Sequence, residues 1–482
     1  MTEPTSPDLS RLFHPRSIAV IGASPRIGPR IQGNNYIKGS VNMNFRGKVY
    51  PVNPGAEDLL GMKVYASVRD IPDEVDLAIF TIPAEAVLPV MEDCAAKGVK
   101  FVHLFTAGFS ETGREEYARI EARLLDLARE SGIRIVGPNC MGVYCPEGGL
   151  AFQFFLPYAP GRVGFFSQSG QLAAYFIMKG AAQGLGFSKV VSFGNACDLK
   201  AHDFLAFLGQ DEKTQVIGSY LEGLSDGQAF LQAARAVTPK KPLVVWKGGL
   251  TDGGSRATLS HTAAIAGSPR LWQALCRQAG ILSVASLDDL TLTLSALQRL
   301  PLPKGRRLAV MGGAGGYSVT MTDTAEKAGL AVPHLAGETI QALEKIVPPE
   351  GASVKNPLDV GPGIYVGDTL LKIMELLRRD PNIDALIVFQ PIGLLSRIMG
   401  KDVVQAMVEL TIQAKDQVGK PMLLVLEQDD GYGAGRLVEE AGERYQEAGL
   451  VVCPNFELAA RVMSHLAEYQ TFLSACRAEQ TA

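Results

Sequence analysis

One pattern recurs along the chain and limits its fold more than any other feature. Short apolar runs are each followed by a glycine-bearing turn and then by a stretch with helical spacing. In the first third, SIAVIGAS, VDLAIFTIP, VKFVHLFTAG and IRIVGPN are apolar, β-branched and closed by turn residues, which is typical of buried parallel strands. Between them, PAEAVLPVMEDCAAKG and REEYARIEARLLDLARESG have helical spacing. The alternation predicts right-handed βαβ units and a doubly wound α/β sheet.

The pattern restarts twice, which predicts three α/β domains in this chain of 482 residues. It resumes at GRVGFFSQSG and continues through SKVVSFGN, TQVIGSYLEG and KPLVVWKGG. It resumes again at RRLAVMGGAGG, after the proline-rich segment LPLPKG, and continues through IDALIVFQP and KPMLLVLEQ. We therefore predict domains at residues 1–147, 148–302 and 303–482.

Charge and composition argue against several classes of function. The net charge of −4 gives no general attraction to nucleic acid or to an anionic membrane. No apolar run reaches the roughly 18–20 residues that span a bilayer, and the polar N-terminus does not have the pattern of a secretory signal. The seven cysteines contain no CxxC pair, so they indicate neither a metal site nor a disulfide framework. We expect a cytoplasmic protein without a metal site of its own.

Four turns of the first domain are candidates for a ligand crevice, because ligands of open α/β sheets bind beyond the carboxyl ends of the strands. They lie in VIGASPRIG, TIPAE, TAGFSE and GPNCMG. A dinucleotide site would require GxGxxG spacing in the first turn and an acidic residue at the end of the second strand. This sequence has neither. Any one turn alone is compatible with an ordinary loop. The candidate ligand-binding residues are Gly22, Ala23, Ser24, Gly28, Asn53, Pro54, Ile82, Pro83, Gly108, Asn139 and Cys140.

The second domain contains two strand–turn–helix segments that predict an anion site. FSQSGQLAAYF and SFGNACDLKAHDFL each have a turn of small residues before a predicted helix. Backbone N–H groups at two converging helix N-termini would bind a phosphate, whereas one such turn alone is more often plain capping. The candidate phosphate-binding residues are Ser167, Gln168, Ser169, Gly170, Gly194 and Asn195.

Taken in order, these motifs resemble those of one family. VIGAS, PVNP, IPAE, GFSE and GPNCMG are followed by SQSG, GN, YLEG, KGG and SHT, as in the alpha chain of the ADP-forming acyl-CoA synthetases. The order is more distantly similar to the succinyl-CoA synthetase alpha chain. GGAGGYSVTMTDTAEKAGL and KNPLDVG resemble the C-terminal domain of the ADP-forming branch. The resemblance implies a Rossmann-like CoA-binding domain followed by two flavodoxin-like domains.

The resemblance also implies a reaction and a partner. In this family, acyl-CoA, ADP and phosphate are interconverted with a carboxylic acid, ATP and CoA. The alpha chain binds coenzyme A, and an ATP-grasp region binds ATP or ADP with Mg²⁺. We identify no ATP-grasp segment in this sequence. We therefore expect a separate ATP-grasp beta subunit and a hetero-oligomer.

By the same resemblance, His261 in SHT is the transiently phosphorylated histidine, and Glu222 in YLEG is its partner acid. An imidazole is neutral near pH 7, and a carboxylate that accepts its second N–H fixes the tautomer. The glycines and small residues of KGGLTDGGSRATLSHTAAIAG predict a flexible loop around His261. Without the resemblance, His261 would more often be a capping or core histidine, and Glu222 is also compatible with a solvated rim carboxylate.

Several alternatives stay open from the sequence. Ala263 stands where the family commonly has glycine, and Cys140 is compatible either with a position near the CoA thiol or with simple packing. Phe152, Phe154, Phe155 and Tyr158 would either admit a bulky acyl group or pack between the first two domains. The alternative function is a CoA-binding regulatory protein without phosphoryl transfer.

Overall fold

The computed structural model describes residues 7–24, 32–262, 268–312, 315–347, 353–365, 367–426 and 433–481, apart from the side chains of residues 259–262, 362, 480 and 481. The chain forms two compact units, Met1–Leu287 and Asp288–Ala482. The first unit contains two parallel-type sheets, and the second contains one.

The first sheet follows from the apolar runs of the first 140 residues. Its strands are β1 (Ser17–Ile21), β2 (Lys48–Val52), β5 (Leu77–Phe80), β6 (Phe101–Leu104) and β7 (Arg134–Val136). The short antiparallel pair β3 (Asp58–Leu59) and β4 (Met62–Lys63) forms a separate two-stranded sheet. The helices are α1 (Ser10–Phe13), α2 (Gly33–Asn42), α3 (Val87–Lys97) and α4 (Glu115–Ser131), with 3₁₀ turns at Val68–Asp70, Ala84–Ala86 and Ser110–Thr112. The five strands are parallel in the order β2-β1-β5-β6-β7, and β1 is buried along its whole length.

The second sheet is formed by β8 (Gly142–Tyr144), β9 (Pro160–Ser167), β10 (Phe187–Ser192), β11 (Val216–Leu221), β12 (Leu243–Lys247) and β13 (Leu282–Val284). Its helices are α5 (Gly170–Ala182), α6 (Ala201–Gln210), α7 (Gly227–Val237), α8 (Asp252–Thr262) and α9 (Pro269–Ala279). The order is β13-β12-β11-β9-β10-β8. The strand β8 pairs antiparallel with β10, and the other neighbours are parallel.

The third sheet lies in the second unit and is parallel in the order of its strands β14 (Leu308–Met311), β15 (Ala385–Phe389), β16 (Met422–Val425) and β17 (Val451–Cys453). The helices are α10 (Leu287–Arg299), α11 (Gly316–Lys327), α12 (Gly337–Leu343), α13 (Thr369–Arg379), α14 (Ile392–Met399), α15 (Lys401–Val418), α16 (Gly435–Glu447) and α17 (Phe456–Thr481), with a 3₁₀ turn at Pro362–Tyr365. One apolar core covers each face of the sheet.

The predicted α/β fold of doubly wound parallel sheets is confirmed. Each apolar run named above contains a strand, and the two predicted helices of the first domain are α3 and α4. The sequence patterns did not predict the short strands β3, β4, β8, β13 and β17. None of the helices in the described part of the chain combines the length and apolar character needed to cross a bilayer.

Candidate functional site

The loops after β1 and β5 meet at the carboxyl edge of the first sheet. Gly22 follows β1 with φ +89°, and a Cβ atom there would lie 2.8 Å from both the carbonyl and the hydroxyl oxygen of Thr81. Only glycine therefore allows this approach without strain. The Ile82 carbonyl accepts a hydrogen bond from Thr106 Oγ1 at 2.7 Å, which joins the loop after β5 to that after β6. Pro83 is exposed beside it.

The loop after β2 joins the same corner. Asn53 Nδ2 donates to the carbonyl oxygen of Ala23 at 2.7 Å. Ser24 N donates to Asn34 Oδ1 at 3.1 Å, which ties the β1 loop to α2. Pro54 is exposed in the β2 loop, and Gly28 lies outside the described residues. Hydrogen bonds thus join the predicted ligand-binding residues of the loops after β1 and β2.

The loop after β6 leaves an open face that suits a bound ligand. Gly108 N donates to Glu111 Oε1 at 2.6 Å, and Phe109 N donates to Glu111 Oε2 at 3.0 Å, so one carboxylate holds the turn. The nearest atom to a Cβ placed on Gly108 would be Ala84 Cβ, at 3.9 Å. The turn therefore leaves space against its backbone, and this fits the predicted approach of coenzyme A.

The loops after β7 and β10 pack directly on each other. A Cβ atom on Gly194, which has φ +53°, would lie 2.2 Å from the Pro138 carbonyl oxygen and 2.4 Å from that of Asn139. Asn195 N donates to Pro138 O at 3.0 Å, and Asn195 Nδ2 donates to Glu111 Oε2 at 2.8 Å. Loops of the first and second sheets therefore meet at this edge.

Two predicted residues are placed differently from our expectation. Gly194 and Asn195 do not lie at a helix N-terminus, because α6 begins only at Ala201. Their side-chain and backbone groups instead hold the two loops together.

Cys140 is buried, and its thiol lies 3.5 Å from Leu104 O and 3.6 Å from Val136 O. These contacts are those of a packing cysteine, one of the two roles that the sequence left open, and burial raises the pKa of the thiol.

The turn after β9 is a capped helix start, as predicted. Ser167 Oγ accepts from Ser169 N at 3.1 Å and donates to Ser169 O at 2.7 Å. Ser169 is the N-cap of α5 and accepts a hydrogen bond from Leu172 N. Gly170 begins the helix, and a Cβ there would lie 2.4 Å from Met141 Cγ. The Gln168 side chain does something else, since its Oε1 accepts from the backbone N–H groups of Glu222 and Gly223.

Glu222 directly follows β11 and is only 7% exposed. Burial, together with the nearby Glu222 carboxylate, raises the pKa of the Tyr220 hydroxyl to about 12. Lys247, the last residue of β12, is 6% exposed, and its Nζ donates to the carbonyl oxygens of Glu222 (2.7 Å) and Gly248. The solvated rim position that the sequence left open for Glu222 is therefore wrong, because the residue is nearly buried and its backbone is held by polar side chains.

His261 lies in a helix rather than in the predicted flexible loop. The helix α8 spans Asp252–Thr262, and Thr251 Oγ1 accepts from Gly254 N at 3.1 Å at its start. This cap, with Asp252 in the first turn, offsets the low helix propensity of the two adjacent glycines. The helix packs near the 3₁₀ turn Ser110–Thr112 of the first sheet. The His261 side chain lies outside the described residues, as does Ala263.

Other histidines have structural surroundings. His103 is buried, and its Nε2 lies 3.1 Å from Cys140 O, so that nitrogen carries the proton. Burial lowers the pKa of His103 to about 4, so it stays neutral. His202 is the second residue of α6. Among the described residues, no cluster of His, Cys, Asp and Glu could hold a metal ion.

Of the predicted aromatic residues, only Phe152 is fully buried. Phe154, Phe155 and Tyr158 are 46%, 54% and 57% exposed. The rings of Phe154 and Phe155 contact each other edge to face, with centroids 5.6 Å apart. The exposed three do not form a packed interior.

Models of three domain families match successive parts of the chain. The CoA binding domain matches residues 16–146, the succinyl-CoA ligase like flavodoxin domain residues 160–297, and the ligase-CoA domain residues 308–476. The alpha subunit of ADP-forming acetate–CoA ligase II from Pyrococcus furiosus is 37% identical over 93% of this chain and 94% of that subunit. The chain belongs to the ADP-forming acyl-CoA synthetase family.

Two further family members agree with this assignment. ADP-forming acetate–CoA ligase II from Archaeoglobus fulgidus is 36% identical over 96% of this chain and 67% of its own length. A solved structure of dinucleotide-forming acetyl-coenzyme A synthetase 1 from Ca. Korarchaeum cryptofilum, in complex with phosphate and ADP, is 34% identical with a TM-score of 0.83. It is matched over 97% of this chain and 99% of that chain.

Within this family fold, sequence reasoning missed three residues of the site. Lys247 and Glu111 occur in the motifs KGG and TAGFSE, but the sequence pattern assigned them no role. The signal was present for Lys247, because a lysine closing the apolar strand LVVWK is unusual unless it has buried acceptors. Tyr220 and Glu111 carry no such signal, because the local sequence pattern does not indicate which groups their side chains contact.

Proposed function

We propose that this chain is the alpha subunit of an ADP-forming acid–CoA ligase. It would interconvert acyl-CoA, ADP and phosphate with a carboxylic acid, ATP and CoA through an acyl phosphate and a phosphohistidine at His261. Coenzyme A would lie along the loops after β1, β2, β5, β6 and β7.

The observation that supports this proposal most is the placement of Glu222. Its nearly buried carboxylate follows β11, and the neighbouring strand β12 leads directly into α8, which carries His261. The same helix packs near the 110–112 turn of the predicted CoA crevice. An acid, a histidine-bearing helix and a CoA-side turn therefore lie at adjoining carboxyl edges of two sheets.

The chemistry divides into three balanced transfers. Phosphate oxygen attacks the thioester carbonyl, which gives acyl phosphate and releases CoA. His261 then attacks the phosphorus, the acid leaves as carboxylate, and the second imidazole N–H is held by Glu222 as the ring becomes cationic. Finally the phosphoryl group passes to ADP, which gives ATP and restores neutral His261.

The N–H groups of the α5 start would stabilise the phosphoryl oxygens during these transfers. Ser169 caps that helix, and Gly170 is its first residue. A helix N-terminus offers oriented donors and a favourable dipole for an anion. Gly194 and Asn195 would contribute through the loop that they build against Pro138.

ADP and Mg²⁺ would be bound by a separate ATP-grasp beta subunit, in a hetero-oligomer. Two of the family members named above are acetate–CoA ligases, so we propose a small carboxylic acid as substrate and acetate as the first to test. The exposed aromatic residues Phe154, Phe155 and Tyr158 would not line the acyl site under this proposal. The chain would work in the cytoplasm, where CoA and ADP are available.

The test is phosphate labelling of the purified chain. With acetyl-CoA and radioactive phosphate, the wild-type chain should acquire acid-labile, base-stable label. His261→Gln should abolish the label, and His202→Gln, a histidine on α6, should retain it as the matched control. Addition of ADP, Mg²⁺ and the ATP-grasp chain should move the label to ATP.

The alternative is a CoA-binding regulatory protein without phosphoryl transfer. The open face at Gly108 would serve such a binder as well as it would serve an enzyme. Saturable CoA binding with no label on the wild-type chain, with or without the beta subunit, would establish this alternative and overturn the proposed function.

A further inference from the structure

Lys247 is a buried cation to which the proposed chemistry assigns no part. It closes β12 and is 6% exposed. Burial lowers its pKa, and the nearby Glu222 carboxylate acts in the opposite direction. Burying an ammonium group is costly unless acceptors surround it, so this lysine requires an explanation in the structure.

The contacts of Lys247 converge on the main chain of Glu222. Its Nζ donates to the Glu222 carbonyl at 2.7 Å. On the other side of the residue, Gln168 Oε1 accepts from Glu222 N and from Gly223 N, the latter at 3.0 Å. The backbone of the acid is therefore held by side chains at the ends of both neighbouring strands, β9 and β12.

Lys247 also holds the start of the segment that leads to α8. Its Nζ donates to the Gly248 carbonyl, and Gly248 N donates to Leu221 O at 2.8 Å. A Cβ on Gly248 would lie 2.7 Å from the Tyr220 hydroxyl, so this segment is seated against the end of β11. One ammonium group thus joins the backbone of Glu222 to the backbone that continues to the histidine-bearing helix.

We propose that Lys247 is a positioning residue that sets the Glu222 carboxylate relative to the segment carrying His261. The proposal rests on the proposed function, since it assigns Lys247 a role in phosphorylation of His261. Lys247 acts through Glu222 and needs no contact with substrate.

The chain provides a matched control in Lys241. This lysine lies just before the opposite end of the same strand, and its Nζ donates to Leu208 O (3.0 Å) and Asp211 O (2.6 Å). Burial lowers the pKa of Lys241 as it does that of Lys247. Both lysines therefore bind two main-chain carbonyls, but only Lys247 binds that of Glu222.

The experiment compares Lys247→Met with Lys241→Met in the full chain. We expect both to lower the melting temperature, since each leaves two carbonyls without this donor. Only Lys247→Met should slow His261 labelling from acetyl-CoA and phosphate, by about ten- to a hundredfold, the range typical of a lost supporting contact. The KM for acetyl-CoA should stay unchanged in both variants, because neither lysine lies in the CoA loops.

A double-mutant cycle separates positioning from general damage. If Lys247 acts through Glu222, Lys247→Met should add no further loss of labelling in the Glu222→Gln background. Lys247→Arg keeps the cation but changes its donor geometry, so its labelling rate should lie between those of the wild type and Lys247→Met. This variant also serves as the test if Lys247→Met does not fold.

The outcomes distinguish the two proposals. Absence of label on the wild-type chain overturns the proposed function, and with it the role of Lys247. A labelled wild type with equal rates in Lys247→Met and Lys241→Met, or with additive losses in the double mutant, overturns the role of Lys247 alone. Where Lys247→Arg replaces Lys247→Met, a labelling rate equal to that of the wild type likewise overturns that role alone.

Discussion

The second and third sheets share a framework and differ at one edge. At the amino edge, Lys241 and Lys420 each precede a proline and donate through Nζ to two carbonyls at the end of a neighbouring helix. The repeated lysine donates hydrogen bonds to carbonyls at a helix C-terminus, where a positive charge is favourable. Its presence in both sheets shows that this contact belongs to the fold.

The carboxyl edges of the same sheets are different. In both sheets, the neighbouring strand donates an N–H to the carbonyl oxygen of the proline in the lysine–proline pair, at 2.9 Å. The strands of the two sheets can therefore be aligned position by position from this hydrogen bond. In that register the third sheet has Pro391 where the second has Glu222, and Leu426 where the second has Lys247. Leu426 is 2% exposed in an apolar core. The fold therefore does not require the acid and the lysine, which supports a chemical role for them in the second sheet.

The largest expected effect tests this difference directly. Glu222→Gln should slow His261 labelling by about 100-fold or more, because an amide cannot accept the imidazole N–H with a full negative charge. The free energy of unfolding should change by less than about 1 kcal/mol, since the amide keeps the shape of the side chain. Phosphate labelling and thermal unfolding measure the two quantities.

Asp384 of the third sheet is the matched control. Its carboxylate accepts three hydrogen bonds from Arg307, at 2.7–3.1 Å. Asp384→Asn should therefore lower the free energy of unfolding by about 1–2 kcal/mol, reduced by solvent screening of the half-exposed arginine, and leave labelling of folded protein unchanged. If Glu222→Gln and Asp384→Asn had the same effects on labelling and on the free energy of unfolding, the proposed difference between the two sheets would be wrong.

The next effect tests the close packing of the loops of the first and second sheets. Gly194→Ala should lower the free energy of unfolding by about 2–4 kcal/mol, because its Cβ would overlap the Pro138 carbonyl at 2.2 Å and its φ is +53°. Gly227→Ala is the control, since no atom lies within 4 Å of a Cβ there and the residue begins α7. Equal chemical-denaturation midpoints for the two variants would contradict this account of the loop contact.

The smallest expected effect concerns the arginine–aspartate pairs at the amino edges of the first and third sheets. Hydrogen bonds from Arg16 lower the pKa of Asp76 below its usual 3.8. A lowered pKa in the folded state contributes stability above the unfolded-state pKa, and this stability is lost as the pH falls through the folded-state pKa. The melting-temperature difference between wild type and Arg16→Met should therefore shrink between pH 7 and about pH 2.5.

Arg307→Met should behave in the same way, because Arg307 forms the corresponding pair with Asp384 and that carboxyl also has a lowered pKa. Both effects should be small, since each arginine is about half exposed and screened by solvent. A difference that stays constant with pH in either variant would show that its arginine acts through packing alone.

The sequence predicted the sheets better than their edges. Long apolar runs such as LVVWK and ALIVF identify central parallel strands because burial on both faces requires continuous apolar residues. β8 and β17 have only three residues each, too few for a periodic signal, and β8 is stabilised by antiparallel pairing with β10. The helix around His261 was missed because two glycines argue for a loop, whereas Thr251 caps the helix start and Asp252 lies in its first turn.

By itself, the order of motifs determined the family, the α/β architecture and the identity of Glu222 and His261 as candidates, because these depend on local pattern and residue type. Only the tertiary structure decided that Gln168 holds the Glu222 backbone, that Asn195 reaches Glu111, and that Lys247 is buried against Glu222. Each of those contacts joins residues 25 to 84 positions apart. Such contacts arise from strand order and register, and the local spacing of residues does not encode them.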